Sequence, residues 1–170
     1  MKAEIWLPIL TLAIGWAGAQ ATEMLRDRRT SEREREASKR EREARQAELQ
    51  RGTLLELQDA LLKVSNSAGD AHAASFVTTA VNDRGEPSKQ IAEDREREAR
   101  DRLSRANDGA RLLASRVQDD QARQAVKTFL TVASMAAQFN PETAEADMKR
   151  LHGSYRKAID LLGELIRERY

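Results

Sequence analysis

His72 and His152 are the only imidazoles in the chain, and either could bind a metal or move a proton. A carboxylate-bridged metal pair between helices needs Glu-x-x-His or His-x-x-x-His, because that spacing puts both ligands on one helix face. Neither histidine has it: His72 follows Asp70-Ala71, and His152 lies between Leu151 and Gly153. Both read as surface or boundary residues. Glu93, Asp94, Glu96 and Glu98 are interleaved with Arg95, Arg97 and Arg100. Mixed charge of this kind is a solvated helix face rather than a pair of catalytic acids. There is no cysteine, which excludes thiolate ligands, disulfides and Cys–His nucleophiles. Gly-rich phosphate loops and a Gly-x-Ser-x-Gly turn are also missing. Phe76, Phe129, Phe139 and Tyr155 stand at helical spacing and read as core residues. These residues predict no catalysis, no metal and no cofactor.

Charge narrows the partners further. The 29 basic and 28 acidic side chains leave a net +1. Such a balance gives no field that draws nucleic acid, and no basic patch carries the interleaved aromatics that stack on single strands. Nucleic acid is therefore not an expected partner. Aromatics make up 4% of the chain, with three prolines and eight glycines. That is too little bulk and too few turns for a β-sandwich, but it suits Leu, Ala and Val seams between helices. The expected fold class is all-α.

The run from Ile5 to Ala21 carries no formal charge over 17 residues, at the short end of what crosses a bilayer core as a helix. Trp6, Leu7, Ile9, Leu10, Leu12, Ile14 and Trp16 form its apolar body, and Pro8 falls in the first turns, where it is tolerated. The reading is a single-pass transmembrane anchor over residues 1–25, in a bacterial cell (inner) membrane. Gly15 with Ala19, and Gly18 with Thr22, are small-xxx-small pairs that would let two such helices approach closely. Flanking cations set orientation. Lys2 precedes the run, whereas Arg26, Arg28 and Arg29 open a long basic series after it. This predicts the N-terminus outside and the rest in the cytoplasm. A cleaved signal peptide is an alternative, because Ala17-Gly18-Ala19 and Ala19-Gln20-Ala21 match a small-x-small site. Burial as a helix of the domain is another.

Residues 26–52 read as a charged helical stalk. Between Arg26 and Glu48 the only apolar residues are Ala37, Ala44 and Ala47. Glu32 to Arg35, Glu36 to Arg40 and Glu41 to Arg45 are spaced to support a solvated helix, at about 0.2–0.5 kcal/mol a pair. Gly52 with the Thr53-x-x-Glu56 capping box marks either a joint or a costly glycine inside one long helix.

Residues 53–170 read as an antiparallel bundle of about four helices. Leu54, Leu57, Leu61, Val64, Ala68 and Ala71 make the first seam, at alternating three and four spacing. It breaks over Asn82–Ser88. Ala99, Leu103, Ala106, Ala110, Leu113 and Val117 make the second, after a charged stretch that would project or lie beside the stalk. Asp119-Asp120 caps a third helix with Ala122, Val126, Phe129, Ala133 and Ala136 inward. Asn140-Pro141 starts a fourth, carrying Ala144, Met148, Leu151, Tyr155, Ala158, Leu162 and Leu165.

The strings from Leu49 to Leu61 and from Leu112 to Asp120, with the anchor and stalk, resemble a group of actinobacterial and actinophage proteins of the same layout. The resemblance implies a membrane-anchored helical architecture and a bacterial or phage source, and brings no activity or site residue with it. The function expected is a non-catalytic, membrane-anchored helical or coiled-coil scaffold. Its partners would be the lipid bilayer and either another protein or a further copy of itself. A ligand-responsive sensory bundle is the alternative, and it would need a pocket in an alanine-rich core.

Overall fold

The computed structural model describes the backbone of residues 3–81 and 86–169, and the side chains of residues 33–81 and 88–168. The described residues form four helices and no strand: α1 (Ala3–Val81), α2 (Glu86–Ala114), α3 (Asp120–Ala136) and α4 (Ala144–Arg169). The chain is all-α. Internal contacts divide it into two units, Met1–Gln46 and Ala47–Tyr170.

Among the described residues no helix is long and apolar enough to cross a membrane. The run from Ile5 to Ala21, the Gly15, Gly18 and Ala19 face, and Arg26, Arg28 and Arg29 lie outside the residues whose side chains are described. In the first unit, residues 33–46 are helical and exposed throughout. The pairing there follows the four-residue spacing: Arg45 to Glu41 at 2.5 Å, Arg40 to Glu36 at 3.7 Å and Lys39 to Glu43 at 3.9 Å. Exposed helix pairs like these contribute about 0.3–0.5 kcal/mol each, so the helix here rests on many small local terms.

In the second unit α1 runs through Gly52 without a break. Thr53 makes no cap. Its hydroxyl donates back to the Leu49 carbonyl at 2.9 Å, one turn earlier in the same helix. All six residues of the first seam are buried, and they join Ala99, Leu103, Ala110, Val117, the α3 seam and Leu151, Ala158 and Leu162 in one core. The charged stretch from Glu93 to Arg102 lies on that core, because Ala92, Ala99 and Leu103 are buried. Its charges mostly face outward, in pairs such as Asp94–Arg97 at 3.1 Å and Glu98–Arg102 at 3.0 Å.

Helix ends follow the local chemistry. Asp119 caps α3, its carboxylate accepting from the Ala122 N–H at 2.9 Å. Asn140-Pro141 does not start α4 as its residue types suggest: Asn140 Oδ1 accepts from the Glu142 N–H at 3.0 Å within a turn over residues 141–143, and the helix begins at Ala144. Long-range bonds give the directions. Gln50 donates to the Arg116 carbonyl just before α3, and His72 meets the Ala136 carbonyl at the end of α3. Helices α1 and α3 therefore run the same way, residue for residue, about 64–66 positions apart. The short connections over residues 115–119 and 137–143, together with Asn107 reaching Ser134 and Phe129 against Tyr155, place α2 and α4 antiparallel to α3.

Candidate functional site

The groups with chemical range are dispersed. His72 is half-buried, and its Nδ1 lies 2.7 Å from the Ala136 carbonyl. A carbonyl only accepts, so Nδ1–H donates, and the imidazole closes the open carbonyl end of α3. The ring also meets Phe139 edge-on at 5.3 Å, and Phe139 meets Phe76 at 5.1 Å. The Phe139 N–H points to Ser75 Oγ at 3.4 Å. His72, Ser75 and Phe76 thus hold the α3–α4 connection against α1. His152 is exposed on α4, far along the chain from this latch. No group of three or more metal-ligating side chains comes together among the described residues.

The aromatic reading divides. Phe129 is fully buried and packs on Tyr155 at 5.6 Å, whereas Phe76, expected in the core, is 52% exposed. The second seam is also corrected: Leu113 is only half-buried, and Val117, though buried, lies past the end of α2 at Ala114. Ala106 is only half-buried, and Asn107 turns inward with 6% exposure. Asn107 Nδ2 donates to Ser134 Oγ at 3.1 Å, while its Oδ1 is buried without a partner. The three-four rhythm could not show this, because Ala106 satisfies it and the Ser134 partner lies 27 residues away.

Two surface features stand out. The first is a groove of about 600 Å³ between α2 and α3. Its floor holds Ala114, Val126 and Leu130, and Arg111, Arg123 and Lys127 stand around it. Arg123 is engaged, donating to the Val117 carbonyl at 2.6 Å and pairing with Asp120. Arg111 also lines a second hollow of about 280 Å³ farther along the same helix pair, beside Leu103, Asn107 and Ser134. The groove exists because α3 packs closely on α4 and more loosely on α2.

The second is the outer face of α1. Leu55, Leu62 and Phe76 are 47%, 48% and 52% exposed. They fall on one heptad position with Gly69, which presents no side chain. Glu56, Asp59 and Asp70 are exposed along the same face, with Lys63 the single cation among them. An apolar row at heptad spacing is a helix-docking pattern, unlike scattered single leucines. No protein-family model, no curated protein and no solved structure matches the chain.

Proposed function

We propose that this chain is a non-catalytic, membrane-anchored interaction protein: residues 5–21 hold it in a bilayer, the charged helix follows, and the bundle binds protein. The single observation behind this reading is the outer face of α1, where Leu55, Leu62 and Phe76 recur at heptad spacing, each about half exposed, outside the core of the bundle. The basic series after the apolar run supports a cytoplasmic bundle.

With no native cysteine, Ser88→Cys at an exposed position of α2 gives a unique label. In intact cells a membrane-impermeant maleimide should leave it unlabelled, and lysis should expose it in the membrane fraction. Labelling of intact cells would reverse the orientation. A shortened soluble product would replace the anchor with a cleaved leader and make this an exported protein. Cross-linking in membranes should trap a protein partner or a second copy; monomer alone would sink the interaction reading.

A further inference from the structure

We propose that the outer face of α1 docks into the α2–α3 groove of a second copy of this chain, so that copies join side by side. This deepens the interaction reading above and rests on it.

The two surfaces are complementary in both shape and charge. The groove is walled by two helices, has an apolar floor, and carries Arg111 and Lys127 without an ion pair or hydrogen bond. The α1 face is a single helix with an apolar row, and Glu56, Asp59 and Asp70 on it have no partner either. A helix laid between two others buries Leu55 and Leu62 against the floor, as ridges fill grooves, while Phe76 lies past the end of α3 on its own Phe139. Like-with-like pairing of two α1 faces is disfavoured. Asp59 lies one turn from both Leu55 and Leu62, so a parallel pair would bring two carboxylates together. The basic groove removes that conflict.

Charge also sets the register. Seating Asp59 between Lys127 and Arg111 puts Leu62 at the level of Leu130 and Gly69 at the level of Ala137, where the bare backbone can approach. This pairing offsets α1 from α3 by 68 positions. Within one copy the two helices already run in the same direction at offsets of 64–66. Neighbouring copies would thus stand with the same orientation and a height difference of roughly 3–6 Å at 1.5 Å per residue. Copies anchored in one bilayer meet that condition. A head-to-tail contact with almost no rise closes into a ring or spreads in the plane, rather than climbing into a filament.

The test is sedimentation of the full-length chain in detergent micelles. Wild type should self-associate, and Asp59→Lys or Lys127→Glu alone should each weaken association roughly tenfold, since each sets like charges together. The double reversal should restore it. Both positions are exposed, and a circular dichroism spectrum checks that each variant folds. A monomeric wild type would overturn the proposal, as would association indifferent to Lys127→Glu. A monomeric chain that still cross-links to a different protein in membranes would overturn self-docking alone, leaving the broader interaction reading in place.

Discussion

Asn107 is a polar residue set among Leu, Val and Ala, and half of its amide is unanswered. Nδ2 donates to Ser134 Oγ, and that hydroxyl donates in turn to the Leu130 carbonyl at 3.0 Å. Oδ1 has no partner. A buried unsatisfied acceptor costs about 1–3 kcal/mol, more than one neutral hydrogen bond returns. Asn107→Leu keeps the volume and leaves Ser134 bonded to Leu130. Urea denaturation should show stability unchanged or raised by about 1 kcal/mol. A loss beyond about 2 kcal/mol would mean that the oxygen is satisfied after all, and that the amide fixes α2 against α3. Asp119 is the contrasting case. Its role was legible in the sequence because an N-cap acts on the N–H three residues ahead.

Among the elements, α1 shows how far local rules reach. Glu36–Arg40 and Glu41–Arg45 pair as their spacing requires. The Thr53-x-x-Glu56 signature, by contrast, does not start a helix, because the preceding turn is already helical and Thr53 bonds back to Leu49. A capping box is a signal only where the chain has reason to enter a helix there. Gly52 then sits in a helix interior at a conformational cost of up to about 1 kcal/mol against alanine. A Cβ at this position would meet no heavy atom within 4 Å. Gly52→Ala should therefore raise the thermal midpoint, corresponding to roughly 0.5–1 kcal/mol. A fall on substitution would show that α1 bends at this residue.

At the scale of the molecule, one core draws on all four helices, so damage at one seam is felt by the whole second unit. Leu61 on α1 is fully buried within it. Leu61→Ala should cost about 2–5 kcal/mol and lower the denaturation midpoint of the full chain, with far-ultraviolet and aromatic signals moving together. Two separated transitions would mean that α1 docks independently of the other three helices. The helical content, the first and third seams and the α3 cap were legible in the residues alone, because hydrophobic period, capping and i,i+4 pairing act within a turn or two. Tertiary packing alone sets that Asn107 turns inward, that Phe76 stays half-exposed against Phe139, that His72 closes α3, and that α2 and α3 stand apart to leave a groove. Each of those depends on which helix lies opposite, as in Asn107–Ser134 and His72–Ala136, contacts 27 and 64 positions apart. No local pattern encodes it, since the same alanine seam can pack against any complementary neighbour.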